Sequence, residues 1–145
     1  MDASKTEKRK TKAGPDASPT IRDFTDLDAW QRARELRNAV YRLSKQFPQD
    51  ERHTLTAQIR RAAISVTANL AEGYGRYSYQ ENSQFCRQSR ASAYEVRDHL
   101  ITALDQGYIP RPAWKEADDL ARRVIQALNG YIRATQERRR DEQKG

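Results

Sequence analysis

Arginine residues are the part of this sequence whose type and spacing most favour a chemical role. Arg87, Arg90 and Arg97 follow one another at steps of three and seven residues, so a helix would present them on one face. A planar guanidinium group can bond two phosphate oxygens at once, which suits such a face to nucleic acid. We therefore predict a nucleic-acid-binding basic strip formed by Arg60, Arg61, Arg76, Arg87, Arg90 and Arg97. The alternative is a solvated surface of mixed charge, because residues 23–132 carry 16 basic and 14 acidic groups.

Glu95 is the carboxylate with the best case for a chemical role, because it adjoins the apolar stripe of its predicted helix. It directly precedes Val96, and Arg60 and Arg61 flank the apolar stripe of the preceding helix. An acid catalyst is one interpretation of such a carboxylate. Burial of a carboxylate requires a partner, however, so we predict a structural ion pair of Glu95 with Arg60 or Arg61 that fixes the helix register.

The histidines and the single cysteine do not form a catalytic or metal-binding pattern. His53 and His99 fall in different predicted helices, and neither has a partner at the spacing of a zinc site or a di-iron bundle. Cys86 lies beside an apolar stripe, where a buried structural thiol is commoner than a nucleophile. We therefore predict a protein without enzymatic activity, without a bound metal and without a cofactor.

The net charge of +7 is concentrated at the two ends of the chain. Residues 1–22 carry a net charge of +3 and residues 133–145 a net charge of +2, equal to that of the much longer segment between them. A basic balance attracts polyanions, although basic ends can also serve only to solubilise a protein. No apolar run approaches the ~18 residues of a membrane span or resembles a signal peptide, so we predict a cytoplasmic protein.

Four helical segments position these side chains. Apolar residues recur at steps of three and four, which predicts helices over 26–46, 50–72, 78–106 and 112–138. Gly73 fits a C-terminal cap of positive φ, and Ser78 with Glu81 fits a capping box. Short connections favour an all-α, antiparallel up-down-up-down four-helix bundle over residues 23–138. A disordered basic arm (1–22) would precede this bundle, and a charged tail (139–145) would follow it.

Large apolar residues on the inward stripes predict the core of this bundle. They are Trp30, Leu36, Val40, Leu43, Leu55, Ile59, Val66, Leu70, Phe85, Val96, Leu100, Leu120, Val124 and Leu128. Tyr94, Ile101 and Ile64 lie outside these stripes, and so do Ala68 and Ala71. Exposed apolar patches usually mark interfaces, so we predict a homo-oligomer.

Tyrosine residues cluster at the second predicted loop, at positions 74, 77 and 79. Exposed tyrosines can stack on bases or anchor a protein interface. They can equally cover the end of a bundle, and the sequence leaves both roles open.

Two stretches of the second predicted helix carry a family resemblance. They are Gln-Ile-Arg-Arg-Ala-Ala at 58–63 and Ala-Asn-Leu-Ala-Glu-Gly at 68–73. Together with Trp30, Phe47 and Phe85, they make residues 23–109 resemble the bacterial four-helix bundle proteins of the 23S rRNA-intervening-sequence type. Those proteins are related more distantly to the accessory variability determinant of diversity-generating retroelements.

The resemblance implies an antiparallel four-helix bundle that assembles into a homopentameric ring. The biochemical role of such proteins is mostly unassigned, while the retroelement relatives bind RNA and a reverse transcriptase. This sequence departs from the family pattern at Asn82, Ser83, Gln84 and Gln88, where relatives often carry apolar residues. The departure concerns the packing of the outer face of the third helix.

Two functions from different classes follow from these observations. One is a non-enzymatic oligomeric accessory protein that binds nucleic acid, RNA above all, with a reverse transcriptase as a candidate partner. The other is a protein-interaction scaffold that does not bind nucleic acid directly. The salt dependence of binding distinguishes these functions. The affinity of phosphate contacts falls steeply as salt rises, whereas the affinity of an apolar interface does not.

Overall fold

The computed structural model describes residues 20–144, which fold into four long α-helices. In chain order the helices are α1 (Asp28–Ser44), α2 (Leu55–Tyr74), α3 (Tyr79–Asp105) and α4 (Arg111–Lys144). Short 3-10 turns at Phe24–Asp26 and Gln49–Glu51 precede α1 and α2. The described residues contain no strand, so the predicted all-α four-helix fold is confirmed. The predicted disordered arm falls mainly on residues 1–19, which lie outside the described range.

The helices α1 and α3 occupy diagonally opposite corners of the bundle. Within residues 20–144, each of them lies beside α2 and α4, and their own Cα atoms stay more than 8 Å apart. Ser89 of α3 donates a 2.7 Å hydrogen bond to the carbonyl oxygen of Val66 on α2. Asn82, earlier on α3, lies against Gly73, which comes later on α2. These two contacts show that α2 and α3 run in opposite directions.

The helices α3 and α4 also run in opposite directions. Asn82, near the start of α3, donates a 3.1 Å hydrogen bond to the hydroxyl of Tyr131 on α4. Arg97, in the second half of α3, bonds Asp118 near the start of α4 at 2.8 Å. Leu27, directly before α1, lines a cavity with Tyr131, so α1 begins beside the later part of α4.

The predicted core is confirmed for ten of its twelve aliphatic members. The buried ones are Leu36, Val40, Leu55, Ile59, Val66, Leu70, Val96, Leu100, Val124 and Leu128. Trp30, Leu43 and Leu120 are partly buried and pack against this core. Phe85 is also only partly buried, and the guanidinium of Arg76 lies 4.7 Å from the centre of its ring. Fully buried alanines fill the spaces where helices approach closely: Ala33, Ala63, Ala93, Ala103 and Ala121.

Cys86 is fully buried in the core, as predicted for a structural thiol. Burial raises the pKa of the thiol to about 12, because the charged thiolate is disfavoured away from water. The thiol therefore stays protonated at neutral pH, where it packs as a small apolar group.

The first two long helices begin later than predicted. The start of α1 is Asp28 rather than residue 26, and the start of α2 is Leu55 rather than residue 50. A 3-10 turn occupies the missing helical turn in both places. Before α2, the Glu51 carboxylate accepts hydrogen bonds from the Thr54 hydroxyl and from the Leu55 amide. These bonds satisfy backbone and side-chain donors at the start of the helix.

Gly73 is not the helix cap that the sequence predicted, because α2 continues through Tyr74. Gly73 is buried where α2 meets α3, and a Cβ at this position would lie 2.8 Å from the Cβ of Phe85. Its role is therefore the close approach of two helices. In residues 20–144, the glycine of positive φ is Gly107, which follows α3 with a φ of 75° directly after the predicted helix end at residue 106.

The start of α3 agrees with the sequence prediction, whereas α4 extends beyond its predicted end. The Ser78 hydroxyl accepts a 3.0 Å hydrogen bond from the amide of Glu81, which confirms Ser78 as the cap of α3. Helix α4 continues to Lys144, so most of the predicted charged tail after residue 138 is helical. None of the helices in the described range combines the length and apolar character needed to cross a lipid bilayer.

Candidate nucleic-acid interface

Arg60 is held on the side of the bundle formed by α1 and α2. Its Nε donates a 2.8 Å hydrogen bond to the hydroxyl of Ser44, at the end of α1. Its guanidinium carbon lies 4.9 Å from the centre of the Tyr41 ring, also on α1. The next residue, Arg61, is exposed. Arg60 is thus partly occupied in joining two helices.

Arg90 and Arg97 lie on the other side of the bundle, between α3 and α4. Arg90 donates a 2.7 Å hydrogen bond to the side-chain oxygen of Asn129. Arg97 donates through Nε to Asp118 at 2.8 Å. Arg87, one helical turn before Arg90, is exposed and lines a small pocket with residues of α4. The predicted arginine face of the third helix is therefore a surface shared by α3 and α4.

The structure does not bring the six predicted arginines into one strip, and that part of the prediction is wrong. Arg60 contacts α1, whereas Arg90 and Arg97 contact α4, and these surfaces lie on opposite sides of the bundle. Arg76 occupies a third place at the end of α2, where it bonds Glu72 at 3.2 Å. The physical reason is that each helix has two neighbours, so residues flanking its buried stripe on either side face different helices.

Asp118 is, with Arg122, a residue of this site that the sequence reasoning missed. Its side chain is only 4% exposed, and it accepts hydrogen bonds from the Nε atoms of Arg97 at 2.8 Å and Arg122 at 2.9 Å. Burial alone would raise the pKa of this carboxyl, but the two arginines outweigh it and hold the pKa below its usual range. The sequence contained the signal, because Ala121 and Ile125 follow at steps of three and seven and place Asp118 on the buried stripe.

Bonding to Asp118 orients Arg97 and Arg122 without exhausting their donors. Both donate to Asp118 through Nε, so the terminal nitrogens of each guanidinium can still bond an incoming acceptor. Tyr94 is 52% exposed beside them, with the guanidinium carbon of Arg97 5.7 Å from its ring centre. We use "the α3–α4 face" for the surface formed by Arg87, Arg90, Tyr94, Arg97 and Arg122.

Glu95 does not form the predicted ion pair with Arg60 or Arg61. Its carboxylate is 47% exposed and lies 3.1 Å from Nε2 of His99, one turn further along α3. In residues 20–144, no ion pair links Glu95 to either arginine. Arg60 instead donates a hydrogen bond to Ser44 of α1. Both partners of this pair lie on α3, so the pair does not fix the register between neighbouring helices.

The predicted tyrosine cluster is divided between the end of the bundle and the loop. Tyr74 and Tyr79 are partly buried and line a cavity of ≈ 340 Å³ with Tyr131. Burial raises the pKa of Tyr131, whose hydroxyl accepts a hydrogen bond from Asn82. Tyr77 is fully exposed in the loop. Two of the three clustered tyrosines therefore cover the bundle end, and Tyr77 stays accessible.

The four positions that depart from the family pattern are divided between the core side and the surface of α3. Asn82 and Ser83 are buried, whereas Gln84 and Gln88 are exposed. Asn82 bonds Tyr131, and the Ser83 hydroxyl has no hydrogen-bond partner among residues 20–144. The departure therefore affects the packed side of α3 as well as its outer face.

The family comparison agrees with the fold and with the resemblance of the sequence. The model of the 23S rRNA-intervening sequence protein family matches residues 25–130, which include α1, α2, α3 and more than half of α4. The chain belongs to this family. No curated protein is significantly similar in sequence to this member of the intervening sequence protein family. The whole α3–α4 face lies within the matched range, whereas the last part of α4 lies beyond it.

A solved structure shares the fold of this intervening sequence protein. It is the 1.70 Å crystal structure of a protein of unknown function from the S23 ribosomal protein family of Bacteroides thetaiotaomicron. The two chains superpose with a TM-score of 0.67 at 18% identity, over 72% of this chain and 97% of the other. At this identity the likeness concerns the fold alone.

In residues 20–144 of this family member, no group of three or more histidine, cysteine, aspartate or glutamate side chains is placed to hold a metal ion. His53 is exposed before α2, and His99 contacts Glu95 on α3. The α3–α4 face is the candidate interface, because it places arginines held by Asp118 beside an exposed tyrosine.

Proposed function

We propose that this protein is a non-enzymatic, oligomeric accessory protein of the cytoplasm that binds RNA through the α3–α4 face. One observation carries the proposal: buried Asp118 holds Arg97 and Arg122 in fixed orientations beside exposed Tyr94. Guanidinium groups bond phosphate oxygens in pairs, and an exposed tyrosine can stack on an unpaired base. The family description names 23S rRNA, which makes RNA the polyanion to test.

The fixed orientation of the arginines favours phosphate binding. A flexible side chain that becomes ordered on binding costs roughly 0.5–1.5 kcal/mol of conformational entropy. Asp118 already restricts Arg97 and Arg122, and Asn129 restricts Arg90. Part of this entropy is therefore lost when the chain folds, before RNA binds. Asp118 neutralises one positive charge of the face. The face therefore attracts RNA less strongly at long range, but its arginines have defined orientations.

Full-length protein is expected to bind single-stranded RNA of mixed sequence, with an affinity that falls steeply as salt rises. Each neutralised phosphate contributes about −0.7 to the slope of log K against log salt, so three or four contacts give a slope of roughly −2 to −3. RNA sequence should have little influence, because phosphate contacts do not read bases. Fluorescence anisotropy over a salt series measures both quantities.

Deletion of residues 1–21 distinguishes RNA binding by the α3–α4 face from RNA binding by the basic arm. The shortened chain should bind with lower affinity and a shallower salt slope, because it lacks five basic residues of the arm. Binding should persist through the α3–α4 face. Complete loss of RNA binding in the shortened chain would assign the activity to the arm.

We further propose that the subunits assemble into a homopentameric ring. Ile64 on α2 is 44% exposed and Ile101 on α3 is 42% exposed, although both are large apolar side chains. A closed ring repeats one contact between two different surfaces, which these two helices can supply. The pentamer itself rests on the family resemblance, and five copies of the α3–α4 face would add avidity for RNA.

Light scattering tests the assembly. At micromolar concentration the particle mass should be about five times the 16.8 kDa of one chain. Ile64→Glu should shift the mass toward the monomer, because it places a charge in an apolar contact. Gln88→Glu is the matched control, since it adds the same charge at an exposed polar position of α3 and should leave the mass unchanged. A monomeric wild-type protein would contradict the proposal.

The second candidate function is a protein-interaction scaffold, and the exposed side chains of Ile64 and Ile101 favour it as well. Large exposed apolar residues can bind a different protein as readily as another copy of the chain. A reverse transcriptase is the partner that the family resemblance suggests. A complex with such an enzyme that persists at high salt, together with no affinity for RNA, would favour the scaffold over the RNA-binding role.

A further inference from the structure

A small polar pocket lies between α3 and α4, beyond Arg87 at the end of the bundle where α3 begins. Its volume is ≈ 110 Å³, and its lining includes Ser83 and Arg87 from α3 and Arg139 from α4. The amide side chains of Gln84 and Gln136 contribute further to its wall. Among the described residues that line the pocket there is no aspartate or glutamate. The pocket is thus rich in hydrogen-bond donors.

Ser83 supplies an independent sign that the pocket takes a ligand. The residue is 5% exposed, and its hydroxyl has no hydrogen-bond partner within the described part of the chain. Buried hydroxyl groups in native proteins are normally bonded, because leaving them unpaired in the interior is unfavourable. Ser83 lines the pocket and its hydroxyl oxygen is covered, so rotation of the side chain would let it donate to an acceptor bound there.

The two arginines of the pocket differ from those at the centre of the α3–α4 face. Arg87 and Arg139 are exposed, and neither takes part in an ion pair among residues 20–144. Arg97 and Arg122, by contrast, share the carboxylate of Asp118. The pocket therefore combines two positive charges with neutral donors and lacks a carboxylate to balance them.

We infer that this pocket binds the terminal phosphate of an RNA strand. A phosphate monoester carries between about −1.5 and −2 charges at pH 7, which matches two guanidinium groups, whereas an internal diester carries about −1. Arg87 and Arg139 can each present paired N–H groups to phosphate oxygens, and Ser83 can donate its hydroxyl proton. The inference rests on the proposed function for the source of the phosphate, since the rest of the strand would continue along Arg90 and Arg97.

Three RNAs of one sequence test the inference with the full-length protein. One carries a 5′-phosphate, one a 3′-phosphate, and one has hydroxyl groups at both ends. At least one phosphorylated RNA should bind about tenfold tighter than the unphosphorylated RNA, as expected for an added charge-assisted contact. Arg139→Gln or Ser83→Ala should reduce this preference to about twofold or less. Arg133→Gln, an exposed arginine of α4 outside the pocket, should preserve it.

A titration with inorganic phosphate shows whether the pocket binds phosphate independently of RNA. The amide NMR signals of Ser83 and Arg87 report this binding. Equal affinity for all three RNAs without phosphate-induced shifts would overturn the pocket and leave RNA binding by the α3–α4 face intact. Shifts with phosphate but no RNA binding would overturn RNA as the source of the phosphate, and the proposed function with it. A terminal-phosphate preference that survives Arg139→Gln would also overturn the assignment.

Discussion

Replacing Arg87 and Arg90 together with glutamate is expected to weaken RNA binding roughly hundredfold or more at about 100 mM salt. Each substitution removes a guanidinium that can bond phosphate and puts a repelling carboxylate in its place. Arg87 is exposed, and the hydrogen bond of Arg90 within residues 20–144 is to the side-chain oxygen of Asn129, so the bundle should tolerate both changes. Anisotropy measures the affinity, and circular dichroism confirms that the helices remain.

The matched control is the double substitution Arg34→Glu and Arg61→Glu. It changes the net charge by the same amount, but both residues are exposed on α1 and α2, which do not contribute to the α3–α4 face. RNA affinity should change by about threefold or less, as screened distant charges do. Equal losses in the two double variants would show that net charge, rather than the face, governs binding. Unchanged affinity after the substitutions at Arg87 and Arg90 would leave the face as a solvated surface.

Asp118→Asn is expected to lower the free energy of unfolding by about 1.5–3 kcal/mol at pH 7, the range for buried hydrogen bonds to charged groups. The native carboxylate is 4% exposed and accepts bonds from Arg97 and Arg122. Asparagine has the same shape, but it has no charge, and its amide group turns a donor toward one of the two guanidinium groups. Urea denaturation of the two proteins measures the difference.

Asp119→Asn provides the control for that measurement, since Asp119 is the next residue and its side chain is 42% exposed in a pair with Lys115. It should change stability by less than about 0.5 kcal/mol, as exposed pairs usually do. Equal losses for both variants would refute the structural role of Asp118.

At acidic pH, the free energies of unfolding of the wild-type protein and of Asp118→Asn should become more similar. Folding lowers the pKa of Asp118, so the carboxylate stabilises the fold fully above the usual aspartate pKa of about 3.9. That stabilisation is lost as the pH falls through the lower pKa of the folded state, because the proton then binds native and unfolded chains alike. Urea denaturation of both proteins at pH 7 and below about pH 4 measures this change. The difference in free energy of unfolding should be smaller at the lower pH.

The sequence by itself determined the four helices, the aliphatic core and several helix ends. Steps of three and four between apolar residues fix the buried stripe of each helix, and this information lies within a few residues of the chain. The cap at Ser78 and the end of α3 at Gly107 were predictable for the same reason, since each depends on local backbone donors and backbone conformation. Gly73 fits a local pattern equally well, yet its real constraint is the Cβ of Phe85 on another helix.

Only the tertiary structure decided which charged groups meet. Periodicity places Arg60, Glu95 and Arg97 beside buried stripes, but it does not say which neighbouring helix lies beside each. The packing turns Arg60 toward α1 and Arg97 toward α4, and it leaves Glu95 exposed with His99. Burial of Asp118 is acceptable only because guanidinium groups from two helices reach it, and one of them lies 21 residues away in the chain. Contacts across that separation depend on how the helices pack, so the candidate site required the folded bundle.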